Sequence, residues 1–95
     1  MSQITSLDAS SLPADCYVFK HSTQCPISAT AADEVRSFEW DMPLYWINVI
    51  EQRPLSNWVE AEFHVRHESP QLIAFKNAKP VAVLTRQDLL TYLSE

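Results

Sequence analysis

Four short apolar runs with the profile of β-strands alternate along this chain with three segments of helical periodicity. The strand candidates, rich in β-branched and aromatic residues, are 16–19, 44–50, 71–76 and 80–84. The helical candidates carry apolar residues three or four apart and begin near Ile27, Leu55 and Thr85. The order β-α-β-α-β-β-α predicts a mixed sheet with helices on both faces, because a crossover followed by a hairpin needs parallel and antiparallel pairs.

The length and composition fit one domain. Of 95 residues, 46% are hydrophobic and 11% aromatic, enough to fill a core and to exclude intrinsic disorder. We therefore expect a single α/β domain of thioredoxin-like plan, with a four-stranded mixed sheet and about three flanking helices. Residues 1–13 are Ser-rich and end at Pro13, so we expect a short or frayed lead-in segment there.

The charge and the apolar pattern exclude several classes of function. A formal charge of −5 argues against nucleic-acid and anionic-membrane binding, which need a basic surface. The chain has no glycine, which excludes the Gly-rich phosphate loops of nucleotide enzymes. We see no apolar run of membrane-spanning length and no secretory signal. With two cysteines, the chain is expected to be cytoplasmic with reduced thiols.

The two cysteines lie in opposite sequence environments. Cys16 is inside an apolar run, where a cysteine behaves as a small, inert hydrophobe. Cys25 is in a polar turn directly before Pro26 and the first helix, and proline favours the first helical turn. Free N–H groups and the helix dipole at that place favour the thiolate. Cys25 is therefore the predicted catalytic nucleophile, and the alternative is an ordinary exposed cysteine.

Three neighbouring side chains are candidates for stabilising the thiolate of Cys25. Ser28 and Thr23 can donate hydroxyl protons. His21 can act as an imidazolium or as a base, or it can simply bond backbone groups in the loop. Ser28 also occupies the position at which a Cys-x-x-Cys pair has its second thiol, and Cys16 is too far away along its strand. Any redox cycle is therefore predicted to use one thiol.

Three separated segments resemble the monothiol bacilliredoxins, which are small thioredoxin-like proteins linked to bacillithiol. The segments are FKHSTQCPIS, RPLSN and VRHESPQ, at 19–28, 53–57 and 65–71. The similarity covers roughly residues 16–90 in the same order of elements. It implies that Cys25 attacks a mixed disulfide, takes the small thiol onto itself and releases the substrate protein reduced. The implied partners are S-thiolated cytosolic proteins and a small thiol co-substrate, with no tightly bound cofactor.

The resemblance also implies a substrate-binding surface. Ser69-Pro70 matches the step that is a cis peptide facing the cysteine in thioredoxin-like folds, although most X–Pro bonds are trans. His67 and Glu68 precede this step, and they either shape a pocket for the small thiol or order the loop. The predicted substrate-binding residues are Pro26, His67, Glu68, Ser69, Pro70 and Gln71.

The chain departs from the family pattern at several positions. Gln24 replaces a usual threonine before the cysteine, and Asn77-Ala78 replaces an expected Asn-Gly turn. His64 stands where glycine is expected after the second helix, so a left-handed cap would force a positive φ on histidine.

Two other functions remain open from the sequence. One is an iron–sulfur carrier of the monothiol-glutaredoxin type, in which two chains share a cluster. The other is a redox-silent module that binds a peptide at the edge beside Pro70. The scattered histidines lack the spacing of a metal site, so we predict none. We expect a monomer.

Overall fold

The computed structural model of the protein describes residues 4–94. The elements along the chain are β1 Ile4–Ser6, β2 Cys16–His21, α1 Pro26–Ser37, β3 Leu44–Asn48, α2 Arg53–Phe63, β4 Gln71–Lys76, β5 Lys79–Thr85 and α3 Arg86–Leu93. The strands form one sheet in the order β1-β3-β2-β4-β5. The predicted alternation of strands and helices from β2 onward is confirmed.

The sheet is mixed, as the sequence predicts. Strand β2 pairs in parallel with β3 and antiparallel with β4, and β4 pairs antiparallel with β5. The parallel pair requires a crossover, which α1 provides. Helix α2 contributes to the core on one face of the sheet, and α1 and α3 contribute to the core on the other.

The prediction of four strands is wrong, because the lead-in segment contributes a fifth. Residues Ile4–Ser6 pair in parallel with Leu44–Trp46 of β3, and the N–H of Leu7 donates to the carbonyl of Trp46 at 2.9 Å. Leu7 is buried against the core on the α2 face. Strand β1 covers the edge of the sheet that β3 would otherwise leave unpaired. The segment Ile4–Ser6 is ordered by this pairing with β3. The first three residues of the predicted lead-in segment lie outside the described part of the chain.

Helix α2 begins earlier than the capping pattern suggests. In the sequence either Ser56 or Asn57 can serve as the cap, because Asn57 and Glu60 have the spacing of a capping box. The helix instead starts at Arg53 with Gln52 as its N-cap residue. Pro54 fits the first helical turn, where its missing N–H has no partner to lose. The carbonyl of Gln52 accepts the N–H of Ser56, which makes Ser56 an interior helical residue. The predicted start of α3 after Thr85 is confirmed.

Left-handed backbone occurs at non-glycine residues. His64 ends α2 with φ 57° and ψ 38°, as the sequence predicts for that position. The hairpin between β4 and β5 turns through two residues, Asn77 at φ 55° and Ala78 at φ 65°. Strand β5 therefore begins at Lys79, one residue earlier than predicted, and the turn has the positive φ angles typical of a tight hairpin.

We expect Ala78→Gly to stabilise the protein. Alanine in the left-handed region costs about 1–2 kcal/mol, and the added chain entropy of glycine offsets about 0.5–1 kcal/mol of the gain. The net increase in the free energy of unfolding should be up to about 1 kcal/mol, measured by urea denaturation. The control Ala82→Gly, in exposed β5, should lower the same quantity by about 0.5–1 kcal/mol. A less stable Ala78→Gly protein would contradict the turn geometry.

No helix within residues 4–94 combines the length and apolar character needed to cross a membrane.

Candidate functional site

Cys25 lies where the predicted turn meets the first helix. It is the N-cap residue of α1, in extended backbone with φ −115° and ψ 119°, and Pro26 opens the helix. The N–H of Cys25 donates to the carbonyl of Ser22 at 3.3 Å, and its carbonyl accepts the N–H of Ala29 at 3.1 Å. The side chain is half-buried. Its thiol has no hydrogen-bond partner within residues 4–94, so no neighbouring group there holds the sulfur.

Ser28 ties the cysteine-bearing turn to the end of β2. Its side chain is fully buried, and its hydroxyl accepts the N–H of Ser22 at 2.9 Å. The same oxygen lies 2.8 Å from Nδ1 of His21. Ser28 therefore fixes the shape of residues 22–25 from the interior. Thr23 and Pro26, in contrast, are exposed beside Cys25 in the chain.

His21 is held by aromatic side chains. Its ring stacks near Phe19 at 6.1 Å between centroids and meets the edge of Trp46 at 5.5 Å. Burial lowers the pKa of His21, the charge of Arg36 lowers it further, and the hydrogen bond with Ser28 opposes both effects. Arg36 itself lies over the Trp46 ring at 4.8 Å. His21 is therefore a neutral imidazole at pH 7 in this setting.

The loop before β4 lies at the same end of the sheet as Cys25. Lys20 pairs with Gln71, so the residues just before β4 flank the end of β2, where the cysteine turn begins. The Ser69-Pro70 peptide bond is cis, which confirms the prediction from the resemblance. The carbonyl of Pro70 accepts the N–H of Arg86 at 3.1 Å and so links the loop to α3.

The three residues before Pro70 are half-buried, and two of them have defined partners. The N–H of His67 donates to Oε2 of Glu60 at 3.0 Å. Glu68 lies 3.9 Å from the guanidinium of Arg86, in an exposed ion pair of small energetic value. The residues concerned are His67, Glu68 and Ser69.

Gln71, which was predicted to bind substrate, is an interior residue in this structure. It is 1% exposed, and its Nε2 donates to the carbonyl of Arg66 at 2.8 Å. Its Oε1 is buried without a hydrogen-bond partner among the described residues. Leaving such an acceptor unpaired costs about 1–3 kcal/mol, a cost that an apolar core residue at this position would not have.

Lys20, a fully buried lysine in the centre of the sheet, is a residue of the site that the sequence does not predict. Its Nζ donates to the carbonyl of Ser56 at 3.2 Å and lies 3.3 Å from Nδ1 of His67. Burial lowers the pKa of Lys20 to about 8, against a smaller opposing effect of Glu60. The signal was available, because Lys20 continues the period-two face of Cys16 and Val18, both buried.

The predicted burial of Cys16 is confirmed. The side chain is fully buried, with its sulfur 3.6 Å from the carbonyl of Pro13. Burial, with a smaller effect of Asp15, raises the pKa of Cys16 to about 11. The thiol is thus protonated at neutral pH and inaccessible, while Cys25 is the other free cysteine.

Within the described range of residues, no three His, Cys, Asp or Glu side chains converge as metal ligands would.

A mixed sheet flanked by three helices, with a cysteine at the N-terminus of the first helix and a cis-proline loop at the same end of the sheet, defines a thioredoxin-fold protein. The chain belongs to the monothiol bacilliredoxin family, since residues 1–89 match the family described as Monothiol bacilliredoxin BrxC. Family and fold together support thiol oxidoreductase activity.

Solved structures agree with the fold. A protein of thioredoxin fold that is assigned as an oxidoreductase is 33% identical, with a TM-score of 0.77 over 97% of this chain and 94% of the other. A mutant thioredoxin from Halobacterium salinarum is 15% identical, with a TM-score of 0.70 over 97% and 86% of the two chains. Reduced thioredoxin from Schistosoma mansoni is 16% identical, with a TM-score of 0.67 over 98% and 94%. The last two likenesses concern the fold alone.

Proposed function

We propose that this protein is a monothiol oxidoreductase that removes a low-molecular-weight thiol, bacillithiol or an analogue, from S-thiolated proteins. One observation carries the proposal most directly. Cys25 is a half-buried thiol at the N-cap of α1, whereas Cys16 is fully buried and remains protonated. A single accessible thiol suits a cycle in which the enzyme holds one small thiol at a time. Membership of the bacilliredoxin family supports bacillithiol as that thiol.

The reaction transfers the small thiol in two exchanges. The Cys25 thiolate attacks the small-thiol sulfur of the mixed disulfide, the old S–S bond breaks, and the substrate protein leaves as a thiolate that takes up a proton. Cys25 now holds the small thiol in a new disulfide. A second thiolate of the same small thiol attacks that small-thiol sulfur and releases Cys25 as a thiolate. The low-molecular-weight disulfide carries away the two oxidising equivalents.

The surrounding residues have two proposed tasks. Ser28 shapes the turn by holding Ser22 and His21 through its hydroxyl, and Thr23 is exposed beside Cys25. None of these side chains hydrogen-bonds the sulfur within the described residues, so the free N–H groups at the N-terminus of α1 are the groups that stabilise the Cys25 thiolate. The loop before β4 and the exposed start of α1 contact the substrate. These contact residues are Pro26, His67, Glu68 and Ser69, whereas the side chains of Pro70 and Gln71, also predicted to bind substrate, are fully buried and support the loop from the interior.

Intact-mass analysis of the reaction mixture tests the proposal. Reduced protein incubated with a bacillithiolated substrate protein should gain the mass of one bacillithiol, and peptide mapping should place it on Cys25. A parallel incubation with a glutathionylated substrate asks whether the small thiol is specific. A protein that gains no small thiol from either substrate, while Cys25 remains reduced, would overturn the proposal and favour a redox-silent binding module. An iron-containing, coloured protein from anaerobic purification would favour a cluster carrier instead.

A further inference from the structure

A buried cation lies directly beneath the loop that leads to Pro70. Lys20 is fully buried, and its Nζ is 3.3 Å from Nδ1 of His67. The hydroxyl of Ser56 lies 3.1 Å from the same ring nitrogen. Nδ1 of His67 thus has two partners, whereas Nε2 has none within the described chain. A lysine is seldom fully buried unless it is paired, so these contacts call for an explanation.

The chemistry of the two nitrogens determines where the proton on His67 lies. A protonated lysine has three N–H donors and no acceptor, so it can only donate to Nδ1. A ring nitrogen that accepts a hydrogen bond carries no proton, and the neutral imidazole then holds its proton on Nε2. With Nδ1 unprotonated, the Ser56 hydroxyl can only donate to it, and the hydroxyl then shares the single ring-plane lone pair of Nδ1 with Lys20.

We propose that Lys20 is a positioning residue, which holds His67 as the neutral Nε2–H tautomer so that the loop presents a fixed hydrogen-bond donor beside Pro70. The expected acceptor is an oxygen of the small thiol in the mixed disulfide, and this part rests on the proposed function. His67 is half-buried and three residues from Pro70, at the end of the sheet that carries the cysteine turn.

The charges around His67 support a neutral ring. Burial lowers the pKa of His67, and Lys20 and Arg53 lower it further. Two carboxylates act in the opposite sense, Glu60 and Glu68. Glu60 accepts the backbone N–H of His67, and Glu68 is engaged with Arg86. The net effect is a pKa of His67 below the ordinary value for histidine, so the ring is neutral at pH 7. Its hydrogen-bond partners then determine which ring nitrogen holds the proton.

Nitrogen NMR of the His67 ring tests this assignment in the reduced wild-type protein, with no reference to activity. At pH 7 the Nδ1 resonance should be that of an unprotonated acceptor, and Nε2 should carry the proton. Because the pKa of Lys20 is about 8, raising the pH from 7 to 9 should shift the Nδ1 resonance far more than that of Nε2. A proton on Nδ1 at pH 7, or an Nδ1 resonance that does not change when Lys20 loses its proton, would overturn the proposal.

Lys20→Met gives the matching variant, with Lys79→Met as its control. In Lys20→Met the pH-dependent shift of the Nδ1 resonance between pH 7 and 9 should vanish. The pKa of His67 should rise toward its ordinary value. Lys79 is exposed at the start of β5, so its replacement should change neither quantity. Unchanged His67 titration in a folded Lys20→Met protein would contradict the proposal. If that variant does not fold, the wild-type titration decides.

Measurements of kcat/KM distinguish a failure of the role given to Lys20 from a failure of the proposed function. His67→Gln keeps an N–H donor near the position of Nε2, so Lys20→Met should cost about tenfold in kcat/KM with His67 present, and little in the His67→Gln background. Equal losses in the two backgrounds would contradict the donor role of His67. A wild-type protein that transfers no small thiol would refute the proposed function, while the NMR result would still decide the tautomer.

Discussion

Cys25→Ser is expected to abolish the transfer of a small thiol from a mixed disulfide. Serine keeps the size and the hydrogen-bonding character of cysteine, but its hydroxyl is not ionised at neutral pH and cannot form the enzyme-bound disulfide. The loss in kcat/KM should be about a thousandfold or more, because every productive path passes through this sulfur. The rate of release of a thiolated fluorescent protein or peptide provides the measurement.

Cys16→Ser is the matched control for Cys25→Ser. Cys16 is fully buried in β2, so this replacement should lower stability by placing a hydroxyl in the core, yet leave kcat/KM of the folded protein unchanged. Circular dichroism at the assay temperature verifies that both variants are folded. A folded Cys25→Ser protein as active as the wild type would remove the basis for the proposed reaction.

The buried Lys20 should make the protein more stable as the pH rises from 8 to 9. The pKa of Lys20 is about 8 in the folded protein, below its ordinary value of 10.5, which applies to the unfolded chain. Between these values the unfolded state binds more protons than the folded state, so the free energy of unfolding increases with pH. One proton of difference corresponds to about 1.4 kcal/mol per pH unit.

Cys16 opposes this trend above pH 9. Its pKa is about 11 in the folded protein and 9.0 ordinarily, so the unfolded state loses the thiol proton first. The unfolded state then binds fewer protons, and stability falls with pH over that range. From about pH 9 to 10.5 the rise in the free energy of unfolding due to Lys20 should cancel the fall due to Cys16. Tyr17, whose pKa is raised by burial and by its hydrogen bond to Asp41, adds to the fall above pH 10.

Urea denaturation at pH 7, 8, 9 and 10 measures these contributions. The wild-type protein should gain about 1 kcal/mol between pH 8 and 9 and then level off. Lys20→Met should show no gain, and its stability should fall above pH 9. A wild-type profile that is flat or falling from pH 8 to 9 would show that folded Lys20 does not release its proton in this range, and so that burial does not lower its pKa to about 8.

The order of elements from β2 to α3 was predictable, because hydrophobic period reports secondary structure directly. The β-branched and aromatic run that begins at Cys16 and the spacing of Ile27 and Val35 were sufficient for the first strand and helix. Strand β1 was not predictable, since Ile4–Ser6 carries too little apolar alternation. Its conformation depends on pairing with β3, a contact made across forty residues of sequence.

The local sequence was sufficient to place Cys25 at the start of a helix, because Pro26 favours the first helical turn and an amphipathic pattern follows it. The left-handed cap at His64 was expected from the family resemblance, since glycine is usual at this position. Tertiary structure decided the surroundings of the Cys25 sulfur. Lys20 becomes a buried cation, and gains His67 as a partner, only when β2 lies between β3 and β4 with α2 packed above it. Local sequence governs backbone conformation over a few residues, whereas burial and charge pairing depend on groups that the fold brings together from far along the chain.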